Sequence, residues 1–105
     1  MDLAVELKKL QNKRLTTLYQ NKPFEITQVS NDQIILKSSK ESRHPITMKE
    51  IRLAWNHLEK CKKLTRSEAR DFGDSEINPT YVMAILASLP GVTHSLGPII
   101  LRLPE

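Results

Sequence analysis

Apolar positions change their period along the chain, and the changes mark its elements. Leu3, Leu7 and Leu10 share one side of a short amphipathic N-terminal helix. From residue 23 the period drops to two. Phe24, Ile26 and, after one slip in step, Val29 alternate with polar residues, and Ile34 and Leu36 do so again. Asn31-Asp32 between the two runs is turn chemistry, so residues 23–29 are expected to pair with residues 33–38 as a β-hairpin. Residues 15–19 either add a strand or finish the first helix. Residues 40–45 read as a polar connection.

In the second half the helical period returns. Thr47-Met48-Lys49-Glu50 and Thr65-Arg66-Ser67-Glu68 both match a capping box, in which the Thr hydroxyl accepts from a backbone N–H and the Glu reaches back. The first opens a helix with Ile51, Ala54, Trp55 and Leu58 at three-to-four spacing, ending near Lys62. The second opens a short helix over residues 65–72, with Gly73 as its terminator. Asn78 is expected to cap a third helix, with Pro79 at its first position and Pro90-Gly91 beyond its end. Residues 92–103 read as a strand, a tight Ser95-Leu96-Gly97-Pro98 turn and a second strand.

The third helix poses a question. Val82, Ile85, Leu86 and Leu89 form a stripe that must face the core, flanked by Tyr81 and Met83. The opposite side carries the small residues Thr80, Ala84, Ala87 and Ser88. Either the helix is packed on both sides, or this smooth face meets a partner.

Composition sets limits on both halves. A length of 105 residues suits one domain with a modest core, divided here into residues 1–40 and 47–103. Apolar residues make up 39 % of the chain, fewer than globular domains usually carry, so the expected stability is small. A homodimer, for which the N-terminal amphipathic helix offers a surface, would add burial. No apolar run reaches the length of a membrane span, and the N-terminus lacks the apolar core of a secretory signal. Cys61 is the one cysteine, which excludes an internal disulfide and points to a reducing cytoplasm. The net charge is +4, and the excess is concentrated. Residues 37–70 hold ten Lys or Arg against four Asp or Glu, the electrostatic footprint expected of a polyanion binder.

The order of helix, short helix, apolar helix and β-hairpin over residues 47–103 resembles the winged-helix variant of helix-turn-helix DNA-binding modules. The expected fold is therefore α+β: an N-terminal helix and small β-hairpin, then a winged-helix-like three-helix unit with a C-terminal β-hairpin. The loop over residues 73–77 is longer than the tight turn of the simplest relatives. The resemblance implies that the helix from Pro79 is the recognition helix, with Asn78, Thr80 and Tyr81 within reach of bases or phosphates. It also implies backbone contacts from Lys60, Lys62, Lys63, Arg66 and Arg70 around the first inter-helix turn, and from His94 and Arg102 on the wing. No Lys or Arg lies between Asn78 and Leu89, so affinity is expected for the phosphate backbone rather than for a base sequence.

The function expected is that of a small regulatory protein binding double-stranded DNA, without catalysis, as a dimer on a two-fold site. The alternative is a protein-interaction module, an inhibitor or adaptor. It would dock through helix 79–89 and the strand Ile99-Ile100-Leu101, its basic segment meeting an acidic partner.

Signals for catalysis or cofactors are weak. His57 and Cys61 have the spacing of two metal ligands on a helix, but neither His44 nor His94 has a partner at ligand spacing. Asp71, Asp74 and Glu76 do not match a calcium loop. Three glycines are too few for a phosphate-cradling loop, and the common nucleophile and metalloprotease motifs are missing. No metal or cofactor is expected.

Overall fold

The computed structural model of the chain describes residues 2–40 and 42–104. Helix α1 (Leu3–Lys9) starts at Asp2, whose carboxylate accepts from the Ala4 N–H at 3.0 Å and the Val5 N–H at 3.4 Å. Leu7 is fully buried, and Leu3 and Leu10 pack against the same core. The apolar side of α1 is therefore used within its own chain.

The expected hairpin is part of a larger sheet. Strands β1 (Arg14–Thr16), β2 (Pro23–Val29), β3 (Gln33–Ser38) and β4 (His44–Thr47) form an antiparallel meander in chain order. The slip in the β2 pattern is a β-bulge between Ile26 and Gln28. Strand β4 arises from residues that read as a connection. Its one buried apolar side chain, Ile46, sits opposite Ile34, and a single apolar position leaves no period to detect.

In the second half, α2 (Met48–Cys61), β5 (Lys63–Thr65), α3 (Arg66–Arg70), α4 (Asn78–Ala87), β6 (Thr93–Ser95) and β7 (Ile100–Arg102) follow one another. Strand β5 is an addition to the sequence reading. It pairs with β7, which also pairs with β6, so the second sheet has the order β5-β7-β6. Leu64 faces Leu101 across that ladder, and both are fully buried.

The caps differ in instructive ways. Thr65 and Glu68 form the complete box: the Glu68 N–H donates to Thr65 Oγ1 at 3.2 Å, and the Thr65 N–H donates to Glu68 Oε1 at 2.8 Å. At Thr47 half of the box forms. The Glu50 N–H donates to Thr47 Oγ1 at 3.3 Å, but the Glu50 carboxylate is directed into the protein. Asn78 is the first helical residue of α4 instead of its cap. Ser75 Oγ takes the capping role and accepts from the Ile77 N–H at 3.0 Å and the Asn78 N–H at 3.2 Å.

Buried side chains from both halves, among them Leu7, Ile26, Leu36, Ile51, Ile85 and Leu101, form one contiguous core. The fold is α+β, with four helices and two antiparallel sheets among the described residues. Among the described residues no helix is long and apolar enough to cross a membrane. Helix α4 packs against α2, α3 and β7 and also against β1. Val82, Met83, Ala84, Ile85 and Leu86 are all buried, so of the two readings of α4 the packed one holds.

Candidate nucleic-acid interface

The basic residues expected to meet a polyanion separate into two groups. The first is solvent-exposed and centred on α2. With six core residues of α2 turned inward, Lys49, Arg52, Leu53, Asn56 and Lys60 form its outer stripe. At about 100° per residue, Lys49, Asn56 and Lys60 fall within about 40° of one another. Glu59 is the one acid among the exposed positions of this helix.

At the end of α2 the chain reverses through Lys62, held in the left-handed region at φ 62° and ψ 12°. The next residue, Lys63, lies directly opposite Arg102 in the β5–β7 ladder, and Arg102 lies opposite Thr93 of β6. Leu64 and Leu101 point to the core, so Lys63 and Arg102 point outward together. Like charges in direct cross-strand register repel, at a separation of about 5 Å between Cβ atoms. His94 is opposite Leu101 and so lies on the other face of this sheet, exposed on the edge strand.

The second group surrounds the start of α4, and its polar atoms are engaged inside the chain. The Arg66 guanidinium donates to Thr80 Oγ1 at 3.2 Å and to the Glu76 carbonyl at 3.4 Å. Arg70 pairs with the Glu76 carboxylate at 3.4 Å. Tyr81 sits edge-on to Phe24 of β2, with ring centroids 5.1 Å apart, and lies 5.4 Å from the His44 ring. Asn78 Nδ2 donates to Glu50 Oε1 at 3.1 Å, and Asn78 Oδ1 shares a 2.6 Å hydrogen bond with His44 Nε2. These residues join β4, α2, α3 and α4. Of the small residues on the other side of helix 79–89, Ala84 is buried, Thr80 and Ala87 are half-buried and Ser88 is exposed, so most of that face is covered within the chain.

Four residues of this arrangement, Lys49, Arg52, His44 and Glu50, were not among the site residues expected from the sequence. Lys49 and Arg52 had a readable signal, since they lie off the apolar stripe of α2 at helical spacing. His44 and Glu50 had none. Glu50 is 4 % exposed, and its Oε2 has no hydrogen-bond partner among the described residues. The Gly73 Cα lies against that carboxylate, and any Cβ there would overlap it unless the Glu50 side chain moved, so Gly73 allows the close approach.

His57 Nε2 and Glu68 Oε2 are 3.0 Å apart. The Thr65 backbone N–H, aided by the Thr65 hydroxyl and by His57, holds the Glu68 carboxyl below its ordinary range. Cys61 is an exposed free thiol. Among the described residues no three His, Cys, Asp or Glu side chains converge as metal ligands. Comparison of the chain with family models, curated proteins and solved structures finds no match.

Proposed function

We propose that the chain is a small non-catalytic protein that holds double-stranded DNA by its phosphates. The binding surface is the ridge of Lys49, Arg52, Lys60, Lys62, Lys63 and Arg102. In this reading residues 47–103 are a winged-helix-like unit whose third helix has joined the core instead of reading a groove. The order of helices and the C-terminal hairpin support that kinship, and the burial of α4 supports the departure from it. A protein that grips backbone without reading bases suits a regulatory role of occupying or covering DNA.

One observation carries the reading: Lys63 and Arg102 face each other in register, with Lys62 next in the chain and Lys60 at the end of the α2 stripe. Left to itself this arrangement costs stability, and a bound phosphate turns the repulsion into attraction. The test is fluorescence anisotropy of a labelled mixed-sequence duplex over a salt series. Micromolar or tighter binding with a steep negative salt slope is expected. Replacing Lys60, Lys63 and Arg102 by Ser should shallow that slope by up to about 2.7 units, at about 0.9 per phosphate contact. No binding at low salt would sink the proposal, and a triple variant with the wild-type slope would remove the ridge from it.

A further inference from the structure

We infer that a groove separate from the ridge takes a single strand of DNA. The inference extends the proposed function and shares with it only the chemical class of ligand.

Three concavities adjoin along one side of the molecule. The first, of about 290 Å³, lies between the β1–β2 loop, the end of β3 and the start of α4. The second, of about 270 Å³, lies where that loop faces Arg66 and Met83. The third, of about 400 Å³, lies between the loop, the start of α3 and the turn of the C-terminal hairpin. Thr17, Gln20 and Thr80 line both the first and the second. Tyr19, Arg66 and Ile99 line both the second and the third. Each neighbouring pair shares three wall residues, and the three together are taken as one groove.

Its chemistry favours one occupant. Lys22 and Lys40 line one end and Arg66 the middle, while among the described residues Glu76 is the one acid along the walls. Tyr19 stands on the wall with 70 % of its surface in water, where a large apolar ring gains nothing from its own chain. A cationic trough with an exposed aromatic ring is the arrangement that holds unpaired nucleotides, phosphates along the charge and a base stacked on the ring. An acidic peptide would use the charges and leave the ring idle. A duplex cannot be read here by helix insertion, because α4 is buried and residues 17–22 of the β1–β2 loop stand beside its start. The hydrogen bonds of Arg66 to Thr80 and to the Glu76 carbonyl fix the middle of the trough before any strand arrives.

The probe is 5′-labelled (dT)12, read by anisotropy. Tyr19→Ala should weaken its binding about tenfold or more and leave affinity for the blunt duplex unchanged. Tyr19 is exposed, so the variant should keep the wild-type melting temperature. Tyr19→Trp should restore binding, and (dT)12 should quench the added fluorescence, while the buried Trp55 gives a constant background. Lys22→Ser with Lys40→Ser should shallow the single-strand salt slope by about 1.4 units. Wild-type affinity in Tyr19→Ala, or no quenching in Tyr19→Trp, would overturn the inference. Tighter binding of (rU)12 or of a polyglutamate peptide would overturn the choice of DNA. Loss of duplex binding in the ridge variant with (dT)12 binding intact would show two separate sites. If the wild-type protein bound no duplex yet held (dT)12 through Tyr19, the groove would stand and the duplex reading would fall.

Discussion

Lys62→Gly tests the ridge with a substitution that should strengthen the fold while weakening DNA binding. Lys62 follows the last turn of α2 at φ 62°, a conformation that costs an L-residue about 1–2 kcal/mol and costs glycine almost nothing. Against that gain, a glycine loosens the unfolded chain by about 0.7 kcal/mol. The helix also loses a cation at its C-terminal end, worth about 0.3 kcal/mol at an exposed site. The backbone there stays anchored, because the Leu103 N–H donates to the Lys62 carbonyl at 3.0 Å. The net gain is about 0.5 kcal/mol, which corresponds to a melting temperature about 2–4 °C higher for a chain of this size. In the duplex titration one phosphate contact disappears. The salt slope should fall by about 0.9 units, and affinity at 0.1 M salt by about eightfold. Thermal unfolding by circular dichroism gives the first number and anisotropy the second. The opposite signs are the point of the experiment, since a loss of affinity in a more stable protein does not come from misfolding. A lower melting temperature would refute the left-handed account of Lys62. Unchanged affinity and slope would remove Lys62 from the interface.

Three further outcomes check the rest of the structure. Gly73→Ala pushes a methyl group into the buried Glu50 carboxylate and should destabilise by about 1–2 kcal/mol through its hydrogen bond to Asn78; in a Glu50→Ala background the same change should cost nothing in chemical denaturation, and an equal cost in both backgrounds would refute the contact. Ala84→Glu places an unpaired carboxylate at a site 2 % exposed, so circular dichroism should find the protein unfolded; a folded variant with a near-native melting temperature would mean that α4 has an open face after all. Glu68 has its folded-state pKa held below the ordinary 4.5, so its contribution to stability is complete above that pH and is lost as the pH falls through the lowered value. Glu68→Gln should therefore lose less stability than the wild type in melts taken from pH 6 to pH 3, and parallel curves would refute the capping role of the charge.

Elements with several apolar positions in one period were legible in the sequence. Ile51, Ala54, Trp55 and Leu58 marked α2, the β2–β3 pair showed even its bulge as a slip in step, and Thr65 with Glu68 announced α3. Strands β4 and β5 were not, because each buries a single apolar side chain and is held by backbone pairing, β5 to β7 near the other end of the chain; β1, which buries none, was legible only as one of two readings of residues 15–19. The caps divide the same way. Thr65 and Glu68 satisfy each other locally, whereas Glu50 has the same local opportunity and turns instead to Asn78, twenty-eight residues away.

The candidate surfaces follow that division. Sequence alone concentrated positive charge in residues 37–70 and kept α4 free of it, since both are properties of residues in order. Whether α4 was open or packed depended on segments distant in the sequence, among them β1, a three-residue strand more than sixty positions earlier. Tertiary structure made the choice by laying the N-terminal sheet along α4, which satisfied Tyr81 and Asn78 internally and left the outer stripe of α2 with Lys63 and Arg102 as an exposed basic surface. Periodicity and capping are local and are written into neighbouring residues. The pairing of Lys63 with Arg102, the burial of Ala84 and the walls of the Tyr19 groove are encounters between distant segments, fixed by which apolar surfaces fit together and by which backbone groups remain to be paired.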